Sequence, residues 1–229
     1  MVDHEANYQQ KVKNIESSSK TFKKVSEPDT GKFNKLPYWL KKVAYRYEKE
    51  FDNDFPTKYY HYKRGTVIRV DFGVNMGSEF CGIHFAIVLD KKDNARKRTL
   101  TVVPLTSKEK AGRFPLGKEV FNQTISILTL RVKELKEKTT QLLKKNNDNP
   151  IESRVEYDSI NQELDQLAYV VDIYKEFDKA SYVRTSDITT ISKFRIKRIN
   201  KYDPSGKIQL NSVQMTEISN KLMELYIKE

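Results

Sequence analysis

Residues 63–107 read KRGTVIRVDFG (63–73), VNMGSEFCGIH (74–84), FAIVLD (85–90), a charged turn KKDNARKR (91–98) and TLTVVPLTS (99–107). Ile68, Val70 and Phe72 alternate with Arg69 and Asp71, the period-two pattern of a strand with one buried face. Residues 85–89 and 99–105 are apolar on both faces and predict central strands. Between the first two strands lies an eleven-residue loop, 73–83, with three of the chain's eight glycines. Glycine there permits positive φ and close approach of a backbone to a ligand.

After the third strand, 108–117 is a basic connection, and 118–121 is expected to be a fourth strand. The pattern then changes to heptads. Leu128, Val132, Leu135 and Leu142 keep one, with Thr139 interrupting, and Tyr157, Ile160, Leu164, Leu167, Val171 and Tyr174 keep a second. Asn146, Asn147, Asp148, Asn149 and Pro150 form a turn between them. Residues 125–180 therefore predict an antiparallel helical hairpin of coiled-coil type, separable from the sheet. Strand patterns return at 181–184 and 188–191, followed by a turn at Pro204, Ser205 and Gly206. Asn211 is placed to cap a last helix with Met215, Ile218, Leu222 and Leu225 on one stripe.

Upstream, residues 1–35 are polar and expected to be a flexible extension without a core. In 36–62, Leu36, Leu40, Val43, Tyr47 and Phe51 fall at helical spacing, with Pro37 suited to a first turn. The aromatic connector that follows holds Tyr59, Tyr60 and Tyr62; it can stack on bases or dock on the protein body.

The hydrophobic share of 38% and charged share of 32% fit a globular protein with polar appendages. No apolar run approaches the ~18 residues of a membrane span, and no signal pattern opens the chain. No membrane partner is expected, and a cytoplasmic setting fits. One cysteine, Cys81, leaves no internal disulfide and no cysteine-based zinc site. The net charge of +11 is uneven: residues 63–124 and 181–229 carry +6 and +4, whereas 125–180 carry −2. Concentration on the sheet-forming segments favours a polyanion such as nucleic acid, although lysine-rich surfaces also serve solubility.

The central stretch resembles the MazF/PemK family of toxin endoribonucleases. The resemblance rests on Arg64 and Gly65 opening the first strand, Gly77-Ser78-Glu79 and Gly82-Ile83-His84 in the loop, Ala86-Ile87-Val88-Leu89, and Leu105-Thr106-Ser107. It implies an α+β, mainly β fold: a small, bent SH3-like β-barrel of the CcdB/MazF type over 63–124 and 181–229, with the hairpin inserted and a C-terminal helix. It also implies a toxin of a type II toxin-antitoxin system that cuts single-stranded mRNA without metal or cofactor, binds a cognate antitoxin and forms a homodimer. In the family the loop ends Gly-x-Arg-Pro with the arginine regarded as catalytic. Here His84 stands at the arginine's place and Phe85 at the proline's.

Cleavage through the 2′-hydroxyl needs a base near that hydroxyl, an acid near the leaving 5′-oxygen and donors for the phosphorane. The resemblance places catalysis on His84 and Thr106 and substrate binding on Gly77, Ser78, Glu79 and Ser107. Arg184, from a Val-Arg stretch followed by Thr190-Ile191, is a further catalytic candidate that supplies positive charge. Histidine suits proton transfer near neutrality, with an ordinary pKa of about 6.5 against about 12.5 or higher for arginine. Other roles remain open at this level. His84 also fits a hydrogen-bonded histidine at a strand start, Thr106 a packed strand residue, Glu79 a carboxylate that holds the loop, and Asp187 a cap or bend. Lys91, Lys92, Arg96, Lys97 and Arg98 can contact phosphates or simply be solvated. A noncatalytic RNA-binding relative and a CcdB-like toxin that binds a protein target are the alternative functions.

Overall fold

The computed structural model describes residues 2–145 and 150–228. The chain divides into two compact units, one formed by residues up to 57 with 72–82 and the other by 58–71 with 83–229.

In the first unit, α1 (Val2–Ser26) and α2 (Leu36–Phe51) pack against each other. Helix α1 occupies sequence expected to be flexible. No glycine or proline interrupts residues 2–26, so polar residues of fair helical propensity form an exposed helix without a core. Pro37 stands in the first turn of α2 as expected. The glycine-rich loop has its own fastening: Lys32 Nζ donates to the carbonyls of Asn75 and Gly77, both at 2.8 Å. Asn75 Nδ2 donates to Phe80 O at 2.7 Å, and the Phe72 and Phe80 rings meet edge to face at 5.1 Å. Gly73 has φ +85°, and a Cβ there would lie 2.3 Å from the Trp39 ring, so both conformation and space require glycine.

The second unit is built on β1 (Val67–Asp71), β2 (Ile83–Val88) and β3 (Thr99–Thr106). All pairings are antiparallel, in the order β1-β2-β3-β5-β4, with β6 also on β3. Strand β4 is Phe114–Gly117, β5 is Ser181–Val183 and β6 is Thr189–Ser192. The long β3 is shared: its first half pairs with β6 and its last two residues with β5. Strand β1 departs from the one-sided pattern, since Ile68 and Val70 are buried and so are Val67 and Asp71. Its outer edge is covered by the irregular return 196–210, through Val67 N–H to Ile208 O at 2.9 Å and Lys197 N–H to Arg69 O at 2.8 Å.

The fourth strand lies at 114–117 rather than 118–121. Gly117, at φ +58°, ends it, and α3 (Glu119–Lys145) begins at once. Val120, Thr124, Leu128 and Leu135 continue one buried stripe, so the helical spacing extends upstream of the expected boundary at 125. Helix α4 (Pro150–Lys175) folds back on α3 and begins at Pro150, the last residue of the expected turn; the other four, 146–149, lie outside the described residues. Leu128, Leu167, Val170 and Tyr174 belong to the same buried cluster as Phe85, Val103 and Leu105. The base of the hairpin and the sheet thus share one core. Helix α5 (Ser212–Tyr226) starts from Asn211 with a reciprocal capping box to Gln214. Met215, Ile218 and Leu222 are buried, whereas Leu225 is half exposed and leaves the stripe.

The aromatic connector divides its roles. Tyr62 is buried, and Tyr59 is edge-on to Phe194 at 5.8 Å. Tyr60 is exposed and stacked on His61 at 6.0 Å. The connector is held by a buried ion pair: Lys193 Nζ donates to both Asp93 carboxylate oxygens at 2.8 Å and to Tyr60 O at 3.1 Å. The two side chains are only 2% and 1% exposed. Removing one partner strands a buried charge, so Asp93→Ala is expected to cost about 3–5 kcal/mol of stability in chemical denaturation.

Five helices and six short strands among the described residues make the fold α+β, with helix more abundant than the mainly β expectation. Among the described residues no helix is long and apolar enough to cross a membrane.

Candidate active site

Antiparallel pairing of β2 with β3 sets Ala86 opposite Pro104, and the same register runs on toward His84 and Thr106. Both residues line an open cavity of about 290 Å³ at this end of the sheet, together with Ser107. His84 is partly exposed and pairs with Val70 on the β1 side. The Thr106 hydroxyl accepts from Lys108 N–H at 3.2 Å, which leaves its own proton available for donation. Ser107 is exposed, and among the described residues its hydroxyl makes no hydrogen bond.

The opposite wall comes from the base of the helical pair. Phe85 packs against Tyr174 at 5.8 Å and Phe177 at 5.1 Å between ring centroids, which anchors the end of α4 beside His84. Tyr174 is almost wholly buried and donates to Asp203 at 2.7 Å. Burial first, and the Asp203 carboxylate second, push its phenol well above the usual tyrosine range, so it forms a neutral wall. Asp203 is also held by Ser205 N–H at 2.8 Å and Ile199 N–H at 2.7 Å. Beyond α4 the chain turns through Lys179 N–H to Phe177 O at 2.7 Å and enters β5, bringing Glu176, Lys179 and Ser181 to the cavity.

A match to the family described as PemK-like, MazF-like toxin of type II toxin-antitoxin system covers residues 63–226. The chain belongs to this PemK/MazF-like toxin family. No curated protein matches the chain. The matched span includes α3 and α4 as well as the sheet, so the toxin's cavity is built entirely from residues inside it.

Of the residues expected at the toxin's site, His84, Thr106 and Ser107 come together. Arg184 is not among the cavity-lining residues; it follows β5, donates its backbone N–H to Pro104 O at 2.9 Å and forms an ion pair with Asp187. Asp187 is thus the arginine's partner in a short turn. Gly77, Ser78 and Glu79 are exposed in the first unit. Among the described residues the Glu79 side chain makes no hydrogen bond, and Asn75 and Lys32 hold the loop instead. Sequence reasoning missed Glu176 and Lys179. Their only signal is a charged run, 175–179, at the close of the second heptad stripe.

Proposed function

We propose that this toxin is an endoribonuclease that cuts single-stranded RNA through attack by its own 2′-hydroxyl. The observation that carries the reading is the convergence of His84, Thr106 and Ser107 on one open cavity. It offers an imidazole for proton transfer and two hydroxyls that can donate to phosphate. In this reading His84 and Thr106 are catalytic, Ser107 binds substrate, and the exposed groups of Gly77, Ser78 and Glu79 contact RNA. Arg184 contributes charge while fixing the turn after β5 through Asp187. The mRNA is the substrate class, a cognate antitoxin is the controlling partner, and the working form is a homodimer in the cytoplasm.

Incubating the purified chain with a long single-stranded RNA in EDTA is expected to yield fragments with 5′-hydroxyl and 2′,3′-cyclic phosphate ends. Strict dependence on Mg²⁺, or 5′-phosphate products, rejects the mechanism. Binding of RNA without cleavage returns the protein to the noncatalytic reading, and failure to bind RNA favours a protein target.

A further inference from the structure

The charges at the end of α4 alternate in their partnerships. Lys175 pairs with Asp172 at 2.7 Å, and Asp178 pairs with Lys118 at 2.7 Å. Glu176 and Lys179, interleaved with them, line the cavity, and among the described residues neither side chain has a hydrogen bond or ion pair. Both are exposed, yet the segment carrying them is anchored by the Phe85, Tyr174 and Phe177 rings. Lys179 is the one lysine or arginine among the cavity-lining residues, and Glu176 the one carboxylate. The other titratable groups lining the cavity are His84 from β2 and Tyr174 from α4.

We propose that Glu176 and Lys179 are catalytic residues that complete the site with His84, the carboxylate as base, the imidazolium as acid and the ammonium as phosphate clamp. This assignment rests on the endoribonuclease reading above. In the step it describes, Glu176 takes the 2′-hydroxyl proton as the 2′-oxygen forms its bond to phosphorus. The bond from phosphorus to the 5′-oxygen breaks, and His84 gives that oxygen a proton. The products are a 2′,3′-cyclic phosphate and a 5′-hydroxyl, with no other reactant consumed. Lys179 faces the nonbridging oxygens, whose charge grows in the phosphorane. One histidine cannot act as base and acid in the same step, and Thr106 and Ser107 are too weakly acidic and basic for either role. A carboxylate supplies the second proton-transfer group, and a lysine supplies the fixed charge that an imidazole lacks once it has given up its proton.

The test uses the full chain, a long single-stranded RNA in EDTA, and Glu176→Gln, Lys179→Ala and Lys179→Arg. Single-turnover rates, RNA affinity and melting are measured on each. Glu176→Gln is expected to lower the rate by about 10²-fold while RNA affinity stays within about twofold, and to remove the acid-side rise of the pH–rate profile. Lys179→Ala is expected to lower the rate about tenfold, with Lys179→Arg recovering most of it. If the parent cuts RNA and the Glu176→Gln and Lys179→Ala variants cut within about twofold of it, the assignment is overturned while the endoribonuclease reading stands. Loss of rate explained wholly by lost RNA affinity or by a lower melting point also overturns it. A parent that cuts no RNA removes the underlying reading as well, and that outcome is read from the parent alone.

Discussion

His84→Ala lowers the single-turnover rate of RNA cleavage by about 10³-fold and removes the limb of the pH–rate profile on which activity falls as an imidazolium loses its proton. The expectation rests on position: His84 is partly exposed at the start of β2 and shares its cavity with Thr106 and Ser107. Its neighbour Phe85 is 8% exposed and locked between Tyr174 and Phe177, so the backbone at 84 is held from the core side. His84→Arg discriminates further. A guanidinium keeps a positive charge and donors for phosphate but does not give up a proton near neutrality. This variant is expected to bind RNA as the parent does and to lose cleavage. Cleavage by His84→Ala at the parent's rate removes the imidazole from the mechanism. Full activity in His84→Arg shows that charge, and not proton transfer, is what position 84 supplies.

Replacing residues 128–177 by a glycine-serine linker abolishes cooperative unfolding of the sheet unit. Leu128, Leu167, Val170 and Tyr174 are each at most 3% exposed and share a cluster with Phe85, Val103 and Leu105. At about 1.5–3 kcal/mol for each buried side chain, their loss is comparable to the whole stability of a domain, about 5–15 kcal/mol. The deletion also uncovers Asp203, which loses the Tyr174 hydroxyl from a buried site. Trimming only the far end, residues 138–157, leaves Leu135 and Ile160 in place, and this shorter variant is expected to melt cooperatively. A cooperative transition in the larger deletion shows that the sheet closes its own core. Loss of cooperativity in the shorter one places the essential packing farther along the helices.

Much of the sheet was legible from local apolar patterning. Apolar runs at 85–89 and 99–105 became the paired strands β2 and β3, and Asn211 and its apolar stripe became a capped helix, because strand faces and helix ends follow from local chemistry. The motif spacing from Arg64 to Ser107 was sufficient to indicate the family. The heptads announced the helical pair but not its start, since the pattern at 118–121 suggests a strand, whereas β4 ends at Gly117 and α3 begins at Glu119. Polar composition at 2–26 concealed a helix, because low hydrophobicity argues against a core and not against helical propensity.

The candidate site divides along the same line. His84, Thr106 and Ser107 could be named from sequence because they belong to a recognisable loop and strand end. What only the tertiary structure decided was their meeting on one cavity, the pairing of Arg184 with Asp187, and the arrival of Glu176 and Lys179 from about 70 residues farther along the chain. Those results depend on the register of β2 against β3 and on the docking of Phe85 with Tyr174 and Phe177. Register and docking are set by side chains distant in sequence packing together, and a local pattern carries no record of which distant partner a face will meet.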